Sequence, residues 1–199
     1  GYTSEDSSYV TSTTLAAGND IIQGMLLATY REGDQTETFF DSGAGDNGPS
    51  RAGADPFDFS SQNLLAKVVI TPNDKHRIRL IAETFVGDSA SNALSAANTS
   101  ARGVLTTVSL ADDTRDRRRL SLSHEYQASG TLIDRSFVQV YHQASESRQI
   151  TNQQQLSRGA PRNRVRDSIF NQSITGFELQ FDKSFDVGTT GHYLVFGFD

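Results

Sequence analysis

Period-two alternation, carried through two neighbouring segments and interrupted once by a tight turn, restricts residues 61–88 (SQNLLAKVVITPNDKHRIRLIAETFVGD) to a β-hairpin. In the first segment Leu64, Ala66, Val68 and Ile70 share one face, opposite Leu65, Lys67, Val69 and Thr71. In the second, Ile78, Leu80, Ala82 and Thr84 oppose Arg77, Arg79, Ile81 and Glu83. The hairpin therefore has one apolar and one charged face. Two surroundings suit such a pair. In a soluble sandwich the apolar face meets a core and the charged face meets water. In a membrane barrel the apolar face meets lipid and the charged face lines a lumen.

The same alternation recurs along the chain. Ile22, Gly24, Leu26, Ala28 and Tyr30 oppose Gln23, Met25, Leu27, Thr29 and Arg31. Leu120, Leu122, His124 and Tyr126 oppose Arg119, Ser121, Ser123 and Glu125, and Thr175, Phe177, Leu179 and Phe181 oppose Ile174, Gly176, Glu178 and Gln180. These patterns predict strands near 3–15, 20–38, 59–71, 76–87, 116–127, 132–149, 168–184 and 191–199. Between them, short connections (16–20, 72–75, 128–131, 186–190) alternate with long ones (39–57, 88–115, 150–166). Placing every long connection at one end is the layout of an outer-membrane barrel, whereas Greek-key sandwiches have no reason for it. Several predicted strands also exceed the roughly 9–11 residues that cross a bilayer at a tilt. Tyr30, Tyr126 and Tyr141 fall toward strand ends, where aromatic girdles belong. A short helical turn is expected within 90–97 (ASNALSAA). The expected fold is all-β, an antiparallel up-and-down meander of about eight long strands.

Composition enters as a check. Hydrophobic residues make up 36% of the chain, below the roughly 45–50% of ordinary domains, as a polar-lined wall with wet loops would require. Cysteine is absent, which removes disulfides and thiolate metal sites. The net charge of −6 gives no basic excess for nucleic acid. No apolar run approaches the roughly 20 residues of a membrane helix. The chain opens on Gly1 without a leader, so a mature chain or a section of a longer barrel is expected.

The runs GMLLATYREGDQTETF (24–39), DFSSQNLLAKVVITPNDKHRIRLIAE (58–83), DRRRLSLSHEY (116–126) and HYLVFGFD (192–199) resemble the barrel of TonB-dependent outer-membrane receptors. Within that superfamily they are most similar to the haem, haemoglobin, transferrin and lactoferrin receptor branch. The resemblance implies a 22-stranded transmembrane β-barrel, a wall of about that size around an N-terminal plug. Residues 1–199 would form a partial barrel domain, with the plug, TonB box and remaining strands outside this sequence. It also implies a place in the bacterial cell outer membrane, uptake of haem or another iron-bearing ligand, and energy supplied by the TonB complex. The implied partners are lipid, lipopolysaccharide, the receptor's own plug, and haem or a haem-carrying or iron-carrying protein. Haem would be cargo, with no cofactor in this segment. Haem receptors of the branch usually carry a ligating His between FRAP and NPNL motifs. Neither motif occurs here, and GAPRN at 159–163 does not replace the first, so no position inherits haem ligation.

No nucleophile-elbow, zinc-protease or P-loop motif is present, so no catalytic residue is assigned and no enzyme is expected. Gly43 to Gly48 fits G-x-G-x-x-G, but Pro49, Gly53 and Pro56 prevent the helix that a dinucleotide site needs; a loop is expected. His76, His124, His142 and His192 are far apart in sequence, with no metal-ligand spacing. Asp41, Asp46, Asp55 and Asp58 fit no calcium loop, so a solvated surface is expected. Two sets of charges remain. Arg117, Arg118, Arg162 and Arg164, at the expected loop bases, are candidates to contact lipopolysaccharide phosphates or haem propionates. Lys67, Arg77, Arg79, Glu83, Arg119 and Glu125 are expected to face the lumen and plug. Two other readings stay open: a passive porin-like or adhesin-like barrel, and a soluble β-rich protein with carbohydrate- or protein-binding loops.

Overall fold

Alternation becomes a single antiparallel sheet in the computed structural model, which describes residues 1–36, 47–51, 53–128 and 132–199. Its strands are β1 (Tyr2–Thr3), β2 (Ser8–Gly18), β3 (Ile22–Asp34), β4 (Phe57–Asn73), β5 (His76–Asn92), β6 (Thr99–Ala101), β7 (Val104–Gln127), β8 (Arg135–Ser157), β9 (Ala160–Val187) and β10 (Thr190–Phe198). The order is β1-β2-β3-β4-β5-β7-β8-β9-β10, with β6 paired on β7. Eight strands are long and two very short, so the up-and-down meander is present. The sheet is open, with β1 and β10 at its two ends.

The strand expected over 3–15 splits into β1 and β2, and since β2 runs on to Gly18 the short connection expected at 16–20 shrinks to 19–21, as that at 72–75 shrinks to Asp74 and Lys75. Asn19 Oδ1 accepts from the amides of Ile21 and Ile22, each at 2.9 Å, and Asn73 Oδ1 accepts from the Lys75 amide at 3.0 Å. Such Asx bonds hold a tight reversal. Residues 129–131, within one predicted short turn, lie outside the described residues, as do residues 37–46 and 52.

The long connections need correction. Residues 150–166, expected as a loop, are the paired outer ends of β8 and β9, joined at Arg158 and Gly159. Both residues have positive φ (52° and 84°), the two-residue geometry whose twist matches flanking strands, and Gly takes it without a Cβ penalty. Arg102 and Gly103 (φ 51° and 76°) likewise join β6 to β7. Much of the expected loop 88–115 is therefore strand, and the helical turn expected at 90–97 shrinks to a 3₁₀ turn at Leu94–Ala96. Apolar alternation stops at the extensions of β8 and β9 and is broken on β7 by a register shift between Thr106 and Val108, while main-chain pairing continues the ladder.

Register assigns every side chain to a face. Ile22, Ile70, Ile78, His124, Val138 and Leu179 form one cross-sheet row, and Leu26, Ala66, Ala82, Leu120, His142 and Thr175 form another on the same face. The apolar stretch does not run straight along these rows. On β3 it centres on Leu26 and on β9 on Leu179, whose row meets β3 at Ile22, four residues nearer the short turns. An apolar band slanting across a sheet is what tilted strands present to a flat slab.

No second layer covers that band among the described residues. Among the described residues the buried apolar side chains are Val69 and Ala97 alone. Leu26, Leu64, Leu80, Leu120, Leu122, Phe177 and Phe196 are exposed on one face. Gly159→Val would force a branched residue into positive φ and is expected to cost about 1–2 kcal/mol locally. Hydrogen exchange should then rise near the tips of β8 and β9 and stay unchanged around Leu80 and Leu122.

Candidate functional site

The charged face is built by the same register. Lys67, Arg77, Arg79, Glu83, Arg119 and Glu125 all lie on the face opposite the apolar band, on β4, β5 and β7. Glu83 accepts from Arg117 Nη2 at 2.6 Å and from Asn63 Nδ2 at 3.3 Å, linking β7, β5 and β4. Arg79 donates through Nη2 to Glu125 at 3.2 Å, while its Nε is buried without a hydrogen-bond partner. Both ion pairs join diagonal neighbours on adjacent strands, although the register places Glu83 directly opposite Arg119, and Glu125 opposite Arg77. Lys67 and Arg77 enter no ion pair among the described residues.

Aromatic rings stand beside three arginines. The Arg31, Arg117 and Arg119 guanidinium carbons stand 5.0, 5.8 and 5.7 Å from the ring centroids of Phe59, Phe85 and Tyr141. A ring can lie flat on the sheet only where its neighbour lacks a side chain. Gly33 opposite Phe59 and Gly176 opposite Tyr141 supply that space, since a Cβ on either would overlap the ring. Tyr141 is thus corrected from the expected girdle. It lies on the charged face, whereas Tyr30 and Tyr126 lie on the apolar one.

The arginines expected at loop bases are strand residues. Arg117 and Arg118 lie within β7 and project to opposite faces, because a strand alternates. One anion site cannot use both. Arg162 and Arg164 sit on β9 just past the turn at Arg158, on the charged face. Asp55 is occupied structurally: it accepts from the Ser95 amide at 2.8 Å and the Ser95 hydroxyl at 2.5 Å. Asp58 lies on β4, while Asp41, Asp46 and Gly43 to Gly45 lie outside the described residues. Gly48 has a φ of 109° in a turn, and among the described residues up to Pro56 no helix follows it.

Two ion pairs lie beyond the apolar band. Arg148 Nε and Nη2 hold Asp167 in a fork at 3.0 and 2.7 Å. That hydrogen bonding lowers the Asp167 pKa and raises that of Arg148. The pair's contribution is present above the ordinary carboxylate range and is lost as pH falls through the lowered Asp167 value. At the turn end, Lys183 at 2.8 Å and the Ser184 amide at 2.7 Å both donate to Asp134, lowering its pKa.

The structure also joins two residues that sequence spacing kept apart. His76 and His124, 48 positions from each other, bring Nδ1 and Nε2 to 3.0 Å across β5 and β7. Only the register could have paired them; no local motif does.

No family model matches the chain. Part of it is 24% identical over 87 residues to "Probable hemoglobin and hemoglobin-haptoglobin-binding protein 4" of Haemophilus influenzae. The aligned stretch is 43% of this chain and 9% of that protein's length.

Gly176→Ala is expected to push the Tyr141 ring off the sheet and away from Arg119, costing about 1–2 kcal/mol in denaturant unfolding. In a Tyr141→Leu background the same change should cost less than half as much, because the overlap is relieved.

Proposed function

We propose that this chain is part of the wall of an outer-membrane, TonB-dependent receptor that imports haem or another iron-bearing ligand. The observation that carries this reading is the exposed apolar face, slanted across the strands and backed by an ion-paired face with no core between layers. A bilayer covers such a face without a second sheet. The similarity to a haemoglobin-binding protein supports haem or a haem-carrying protein as the ligand.

In this reading the turns at Asp74 and Gly188 point to the periplasm, and the extended β7, β8 and β9 rise beyond the outer leaflet toward the ligand. The charged wall around Glu83, Arg79 and Glu125 faces the receptor's own plug. Exchangeable hydrogen bonds and ion pairs suit that boundary better than a dry apolar interface. A plug held by a hydrophobic core would resist displacement, whereas polar contacts can be replaced by water one at a time. The TonB complex would supply the work through a part of the protein outside this sequence. Arg118, on the lipid-facing side at the upper edge of the band, is placed to meet lipopolysaccharide phosphate.

Deleting the gene in the source bacterium should abolish growth on haem or haemoglobin as sole iron source, and a plasmid copy should restore it. Undiminished growth of the deletion strain on both would contradict haem or a haem-carrying protein as the cargo.

A further inference from the structure

The His76–His124 pair stands apart from the charged face and from the uptake reading. Both residues lie on the apolar face at its short-turn end, next to the reversal at Asp74 and Lys75. In the register His76 faces Tyr126 and His124 faces Ile78, so the two imidazoles are diagonal neighbours fixed by the β5–β7 ladder. Their rings are nearly parallel (11°), with centroids 5.2 Å apart and facing nitrogens at 3.0 Å. That combination means the rings meet edge to edge, each directing a nitrogen at the other. The Tyr126 ring, 5.0 Å from that of His76, restrains the first imidazole from one side. Both histidines are partly exposed on the uncovered sheet, at the turn end of this face.

We propose that His76 and His124 form a two-imidazole site for one divalent transition cation of the zinc, copper or nickel class. Imidazole is the ligand these ions share. Two zinc–nitrogen bonds of about 2.0–2.1 Å at a tetrahedral angle set the nitrogens about 3.3 Å apart, so the pair needs to open by only about 0.3 Å and tilt its rings. A 3.0 Å contact between the two ring nitrogens has one N–H bridging the pair, with either ring as donor. On binding, that hydrogen moves to the outer nitrogen of its own ring, so both facing lone pairs reach the ion and no net proton is released. Among the described residues no group of three or more His, Asp, Glu or Cys side chains surrounds a common point, so water fills the remaining positions. The bound ion ties β5 to β7 beside their turns.

The test uses the full receptor in detergent micelles, titrated with Cu²⁺ alone and followed by electron paramagnetic resonance. One Cu²⁺ per chain with hyperfine coupling to two imidazole nitrogens is expected, displaced by Zn²⁺. His76→Ala and His124→Ala should each weaken binding by about tenfold or more and leave a single coupled nitrogen. His142→Ala, on the same face, should keep the wild-type spectrum and affinity. His76→Gln and His124→Gln serve as second variants of similar size, with circular dichroism confirming the sheet. Two-nitrogen coupling that survives both His76 and His124 variants, or wild-type binding no tighter than theirs, would overturn the proposal.

Discussion

Strand register is the constraint on which the rest of this structure depends. In a sheet with a side-chain period of two, a slip of one residue would exchange the whole apolar face for the charged one. The register that aligns Leu26, Ala66, Ala82 and Leu120 also sets Glu83 beside Arg117 and Arg79 beside Glu125. Apolar face and ion-paired face are therefore one decision, made by main-chain hydrogen bonds. The glycines at 33 and 176 reinforce it, since only the observed alignment places the Phe59 and Tyr141 rings over a neighbour without a side chain.

Magnitudes show why this sheet needs a cover. Full burial of a leucine or phenylalanine is worth about 1.5–3 kcal/mol, so leaving seven such residues roughly half exposed forfeits on the order of 10 kcal/mol. That is comparable with the whole stability of a typical domain, about 5–15 kcal/mol. The surface ion pairs cannot make up the difference, because exposed pairs contribute about 0–1 kcal/mol each. Under the proposed reading, a low-dielectric surrounding for the apolar face would supply what a core does not.

Much of this was legible in the sequence, for a physical reason. Wherever one face was apolar, alternation located the strand and its facing, as at Leu64 to Ile70 and Ile78 to Ala82. The tight turn expected at 72–75 is there, between β4 and β5. Where both faces turn polar, from Ile150 to Arg166, alternation vanished although pairing continued, so strand was read as loop. The six charges expected to face a lumen do share one face, but their partners were not foreseeable. Glu83 chose Arg117 over the directly opposite Arg119, and Arg117 and Arg118, adjacent in sequence, proved to belong to different faces. The His76–His124 contact spans 48 positions and exists only through the ladder.

The central claim is that one face meets lipid and the other does not. The chain has no native cysteine, so single cysteines can be spin-labelled one at a time. Labels at Leu80, Leu120 and Phe177 should collide readily with oxygen and little with a water-soluble nickel chelate when the protein is reconstituted in bilayers. Labels at Lys67 and Glu178 should show low oxygen collision. Equal nickel-chelate access at all five positions would contradict the account.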